Sequence, residues 1–219
     1  MGDTSFFILS LSIVFAAVGG MVRYRAMDPA YHPFVYYACL SVAVEIIAYI
    51  FISCGQTEWV GTLYNLFAIG EFYMLTRMFH NWGLFRRKQS TFIGIVVLSV
   101  LLYLCTLYIR GYGKINYFAR IVNAFLLIFF SISAFNRMIL NERINIFKNA
   151  KFWICIGMMI YFTYFILVST EQLSFLHINR TYSFKNKVFQ INAYSNLLVN
   201  LLYAVAVIWI PRKKNIITL

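Results

Sequence analysis

The chain has 219 residues, 62% of them hydrophobic, 19% aromatic and only 12% charged, with a net charge of +12. Together with a mean hydropathy of +0.74, this composition excludes an ordinary soluble domain and indicates an integral membrane protein. Nor does the positive balance point to nucleic acid. The Lys and Arg residues sit in short runs between apolar segments, a placement that fits helix flanks and anionic headgroups, not a basic face on a polar surface.

Apolar runs of about 18 to 25 residues, the length that a bilayer core requires, predict an all-α polytopic bundle of seven helices in one domain, residues 1–219. The first run, Ser5–Val22, follows "MGDT", which has no Lys or Arg, whereas Arg23 and Arg25 come after it. It therefore reads as a retained helix and not as a signal peptide. Phe34–Ser53 carries Glu45 inside "SVAVEIIAYIF", and Trp59–Phe79 carries Glu71 near its middle, with Tyr64 and Asn65 earlier on the same run. Thr91–Ile109 holds no charge. Tyr117–Phe135 opens with Arg120 and Asn123, and Phe152–Thr170 is again uncharged. The connection Glu171–Lys187 is the long one, and its mixed polarity predicts a surface loop whose Phe175 and Leu176 rest on the membrane or over the bundle mouth. Val188–Ile210 closes the series and carries Asn192, Asn196 and Asn200; "RKKNIITL" follows Pro211. No internal repeat is visible.

Thirteen Lys and Arg residues fall on the side of the bundle that holds the first, third and fifth connections and the carboxyl terminus, against six on the other side. The positive-inside rule then places the amino terminus outside and the carboxyl terminus in the cytoplasm. Tyr36, Tyr37, Trp59, Tyr108, Tyr112, Tyr117, Trp153 and Trp209 lie at the span ends, where their amphipathic rings favour the headgroup region.

A carboxylate at membrane depth costs at least about 2.5 to 3.5 kcal/mol and usually faces a protein interior, which makes Glu71 and Glu45 the first candidate functional residues. They read either as one unit that binds a cation, carries a proton or grips a basic ligand, or as neutral, hydrogen-bonded groups that fix helix packing. The second is physically sound because low dielectric favours the uncharged carboxyl. Tyr64 is seven residues before Glu71 and shares its face, while Asn192, Asn196 and Asn200 form a stripe at four-residue spacing. Asn65 and Asn123 complete a polar set, Glu45, Glu71, Tyr64, Asn65, Asn123, Asn196 and Asn200. Asn196 or Asn200 is the expected partner of Glu71. Arg120, close to a helix end, is expected to snorkel to the interface.

Other chemistries find no support. Cys39, Cys54, Cys105 and Cys155 are widely separated and read as small hydrophobes. His32, His80 and His177 lack metal-ligand spacing, so no metal is expected. No cofactor is expected either. The last span has no Lys for a retinal Schiff base, and no GxSxG or SxxK nucleophile motif occurs. Pro29, Pro33 and Pro211 all avoid the span interiors, unlike the interrupted helices common in secondary transporters.

"NLFAIGEFYMLTRMF" (Asn65–Phe79), "AKFWICIGMMIYFTYFIL" (Ala150–Leu167) and "YSNLLVNLLYAVAVIWI" (Tyr194–Ile210) resemble the signature segments of a bacterial family of small seven-helix membrane proteins often encoded beside sensor histidine kinases. The resemblance implies a multi-pass inner-membrane protein with a signalling role, brings no catalytic residues, and aligns Glu71 with the family's acidic residue in the third span. The leading expectation is a non-catalytic sensory or accessory module that binds a small ligand, proton or lipid in its polar interior. Membrane lipids and a cytoplasmic partner, such as a histidine kinase or another membrane protein, would complete it, with "RMILNERINIFKNAK" (Arg137–Lys151) as the largest cytoplasmic surface. Two other classes stay open, a small transporter or ion-coupled carrier using the interior carboxylates and an intramembrane lipid-modifying enzyme with two acids.

Overall fold

The computed structural model describes residues 7, 9–85, 88–111, 113–141, 146–170 and 182–213, with backbone alone at 110, 141, 182–190 and 192. The protein is all-helical, with seven α-helices and no strand among the described residues. They are α1 (Val14–Arg23), preceded by a 3-10 turn at Leu11–Ile13, α2 (His32–Ser53), α3 (Thr57–Asn81), α4 (Gln89–Arg110), α5 (Tyr117–Asn141), α6 (Ala150–Thr170) and α7 (Tyr182–Trp209).

Four of these segments, Pro29–Ser53, Gln89–Ile109, Tyr117–Leu140 and Ala150–Thr170, are long and apolar enough to cross a membrane. Leu11–Arg23 and Ala193–Trp209 are apolar but shorter, and α3 is long but carries Glu58, Asn65, Glu71 and Arg77, which lower its hydropathy. Helix ends also depart from the apolar runs. The last helix begins at Tyr182 instead of Val188, and α5 continues through Asn141, well past Phe135. Backbone hydrogen bonding does not require apolar side chains, and neither Gly nor Pro interrupts 135–141. The expected loop 171–187 lies outside the described residues up to 181, as do His177, Phe175 and Leu176; from Tyr182 it is helix.

Each helix packs on the next in chain order, and α7 returns to pack on α1, closing a ring. An additional contact between α3 and α5 leaves α4 at the periphery. Lipid gives no hydrophobic drive for helix association, so the ring depends on close fit. Helix α1 supplies that fit through Ala16, Ala17 and Gly20, all buried. At other ends the chain turns on Gly55 and Gly83, with φ of 72° and 79°, a left-handed conformation that suits glycine at a helix terminus.

Outward faces are strongly apolar. Val22, Leu66, Leu98, Phe129 and Leu140 are all more than 60% exposed, the expected surface of a helix bundle solvated by lipid. The core is aromatic, with Phe34, Phe72, Phe79 and Tyr203 fully buried. A smaller core of Ala68, Tyr103 and Ala119 forms where α3, α4 and α5 meet.

Candidate functional site

Glu71 is only 4% exposed, so its carboxyl faces the bundle interior. A lipid-facing orientation would have left it with nothing to offset desolvation. It borders a small cavity whose other polar walls are Tyr103 of α4, Arg120 and Asn123 of α5 and Tyr161 of α6. The space holds about one water molecule.

Three lining residues each have a buried polar atom without a protein partner: Oε1 of Glu71, Nδ2 of Asn123 and the hydroxyl of Tyr103. Nearly all buried polar groups in folded proteins are hydrogen-bonded, so three exceptions around one cavity mark it as a site. Asn123 is held in place by its other end, Oδ1, which accepts from Ser99 Oγ of α4 at 3.0 Å. Tyr37 of α2 presents its hydroxyl to the Glu71 carboxyl.

Arg120 does not snorkel. Its Cζ sits 4.6 Å from the centroid of Phe165 on α6, its side chain lines the cavity, and it lies within electrostatic reach of both Glu45 and Glu71. Snorkelling is opposed because the interior offers two carboxylates and an aromatic face, and a guanidinium gains from both.

Glu45 does not line the cavity. It is half-buried on α2 and accepts from Ser10 Oγ at 3.2 Å. The two carboxylates thus occupy different surroundings and share Arg120 as a neighbour. Tyr161 lies within electrostatic reach of both carboxylates, and Tyr64 within reach of Glu45 and Arg120 but not of Glu71.

Other amides of the predicted set serve elsewhere. Asn65 donates from Nδ2 to Lys114 O at 2.9 Å and accepts from Asn116 N at 2.9 Å, pinning the α4–α5 connection onto α3. Asn116 in turn caps α5, its Oδ1 accepting from Ala119 N at 3.3 Å. Asn200, an expected partner of Glu71, instead donates to Ser12 Oγ at 2.9 Å and Ser10 O at 3.3 Å, because α7 packs on the amino-terminal segment. Asn196 is half-buried, and the Asn192 side chain lies outside the described residues. A tyrosine on α2, not an amide on α7, approaches Glu71.

Tyr37, Tyr103, Tyr161 and Arg120 are site residues outside the predicted binding set: the sequence places Arg120 at the interface and Tyr37 at the headgroup level, whereas Tyr37 is buried in the core because its ring packs against Phe34 and Tyr203. Arg120 had a signal: it precedes Asn123 by three residues and so shares its face. Tyr161 lies inside an apolar span as a polar residue, whereas nothing in the sequence distinguishes Tyr103 or Tyr37 from the rest of the 16 tyrosines. Elsewhere His32 stacks on Tyr24 and His80 on Phe85, and no three His, Cys, Asp or Glu side chains converge among the described residues.

The fold and site define an all-helical chain, four of whose helices are long and apolar enough to cross a membrane, with a buried carboxyl beside a water-sized polar cavity. No protein-family model, curated protein or solved structure matches it.

Proposed function

We propose that the chain is a non-catalytic sensory or accessory module of a bacterial inner membrane. A proton or a small polar guest at Glu71 would bias helix packing, and cytoplasmic segments would report the change to a partner such as a histidine kinase. The observation that carries this reading is the set of three unpartnered polar atoms around one cavity beside Arg120. A protonated carboxyl donates a hydrogen bond and a carboxylate only accepts, so one proton changes which neighbours Glu71 can satisfy. A switch requires that the two states differ in affinity for the guest. Helix α4 is the element placed to differ: it is peripheral in the ring, yet Tyr103 and the Ser99–Asn123 bond tie it to the cavity.

Cys105 is exposed on α4, which provides the test. With Cys39 and Cys54 replaced by Ser, a fluorophore on Cys105 in lipid nanodiscs should report a pH-dependent transition. Glu71→Gln keeps the shape and hydrogen-bonding capacity of the carboxyl and should retain the fold while removing that transition. An unchanged transition in Glu71→Gln overturns the proposal, and loss of folding in that variant assigns Glu71 a structural role instead.

A second reading, a small ion-coupled carrier, is favoured by the position of Arg120 within reach of both Glu45 and Glu71. Uptake into proteoliposomes under an imposed proton gradient, absent in Glu71→Gln, would establish it in place of the first.

A further inference from the structure

Glu71, Tyr103 and Asn123 come from α3, α4 and α5, and each brings to one cavity a buried polar atom with no partner among the described residues. We infer that the guest of this cavity is a single water molecule bonded to all three, and that neither a metal cation nor an inorganic anion takes its place. The inference rests on the reading of the cavity as the sensing site and names what occupies it.

Hydrogen-bond direction is the first argument. Asn123 Oδ1 accepts from Ser99 Oγ at 3.0 Å, so the carboxamide cannot turn its oxygen to the cavity without losing that bond. Its NH2 group, on the other side of the same plane, is left as a donor. Oε1 of an ionised Glu71 only accepts, and the Tyr103 hydroxyl does either. All three residues are 4% exposed or less, so none of them reaches bulk water. Tyr103 lies within electrostatic reach of Glu71 and Arg120, close enough for one small molecule to span the set.

That set holds one obligate donor, one obligate acceptor and one group of either kind. A cation would satisfy Glu71 and Tyr103 but would meet the Asn123 amino group and the Arg120 guanidinium, which stays charged in proteins. An anion would satisfy Asn123, Tyr103 and Arg120 but would meet the Glu71 carboxylate. Water satisfies all three at once: it accepts from Asn123 Nδ2, donates to Glu71 Oε1 and makes its third bond with Tyr103. About three bonds is the usual complement of a buried water.

Size and ligand count agree. The cavity has room for about one water molecule, which leaves no space for an organic ligand or a hydrated ion. A dehydrated Ca²⁺ or Mg²⁺ needs about six oxygen ligands or more, whereas the side chains here offer oxygens from Glu71, Tyr103 and Tyr161 alone, the Asn123 oxygen being engaged by Ser99. A proton needs no such shell, because it bonds to Glu71 itself.

The test is a crystal structure of the full chain at a resolution that shows ordered water, with crystals soaked separately in rubidium chloride and in sodium bromide. We expect one peak within about 3.2 Å of Glu71 Oε1, Asn123 Nδ2 and Tyr103 Oη, with no anomalous signal from either soak. In detergent, the thermal midpoint should be the same in sodium, lithium, potassium and choline chloride at one ionic strength and pH. Three results overturn the inference: no peak bonded to the three atoms, an anomalous rubidium or bromide peak in the cavity, or a sodium- or lithium-selective rise in midpoint that Glu71→Gln abolishes. The pH response of the Cys105 fluorophore is read separately. Its absence from the wild type with water in place overturns the sensory reading alone, and an ion in the cavity with that response intact overturns this inference alone.

Discussion

A Cβ built on Gly157 of α6 would stand 2.6 Å from Cε1 of Tyr203 on α7. That contact sets the spacing of the two helices. Tyr203 meets Phe34 edge-on at 5.2 Å and Tyr37 at 6.4 Å, and Tyr37 presents its hydroxyl to Glu71. The position of α6 is thereby passed through packed rings to the candidate site.

Gly157→Ala should therefore destabilise the bundle, since the added methyl meets a fully buried ring that has no space to yield. Overpacking of this kind costs about 1 to 3 kcal/mol. Thermal unfolding in detergent would show a lower midpoint, and Gly157→Ala combined with Tyr203→Leu should recover part of the loss.

The α4–α5 connection lies directly on α3. A Cβ at Gly61 would be 2.2 Å from Gly113 O, a backbone atom, in the connection that Asn65 holds through Lys114 and Asn116. Gly61→Ala and Asn65→Ala should each lower the thermal midpoint, and their combination should lower it by less than the sum, because both release one loop. Gly94→Ala is the contrast. Nothing lies within 4 Å of its Cβ, and Ala in a helix interior is favoured over Gly by about 0.5 to 1 kcal/mol, so it should be neutral or stabilising.

Arg23 closes the ring at its other end. Its guanidinium donates to carbonyls at the carboxyl end of α7 and just beyond it, to Val207 O, to Ile208 O at 2.7 Å and to Ile210 O at 3.1 Å, where the helix leaves its last carbonyls to be satisfied from outside. Beside it Asp28 N donates to Pro211 O at 3.0 Å and Lys213 N to Ala26 O at 2.8 Å. Arg23→Ala should release this end of α7. Limited trypsin digestion would then cut after Arg212 and Lys213 faster than in the wild type, with helix content by circular dichroism nearly unchanged.

Arg120→Lys keeps the charge near Glu45 and Glu71 but cannot lie flat on Phe165, whereas Arg120→Gln loses both interactions. Stability should fall in both variants, further in Arg120→Gln. A double-mutant cycle with Phe165→Leu should give a coupling of about 0.5 to 2 kcal/mol. A coupling of zero would show that the stacking at 4.6 Å contributes nothing.

The asymmetry of thirteen Lys and Arg residues against six makes topology testable without purification. A reporter fused after Leu219 should be active only in its cytoplasmic form, and activity only in the periplasmic form would invert the assignment.

The sequence alone determined that the chain is helical and apolar, roughly where its helices lie, and that Glu71 belongs inside. Those properties are local or depend on one residue's cost in lipid: twenty apolar residues in a row satisfy their own backbone as a helix, and an unpaired carboxylate is expelled from acyl chains. Which polar groups meet was decided only in three dimensions. Asn65, Asn123 and Asn200 look alike along the chain, yet one pins a loop, one lines the cavity and one holds the amino-terminal segment. Arg120 turned inward because α6 offered it Phe165, and Tyr103 reached Glu71's cavity because α4 docks beside α3 and α5. The rotation and neighbours of each helix follow from side-chain fit between segments distant in sequence, where small residues such as Gly157 and Gly20 permit close approach. No periodicity within a single segment encodes that fit.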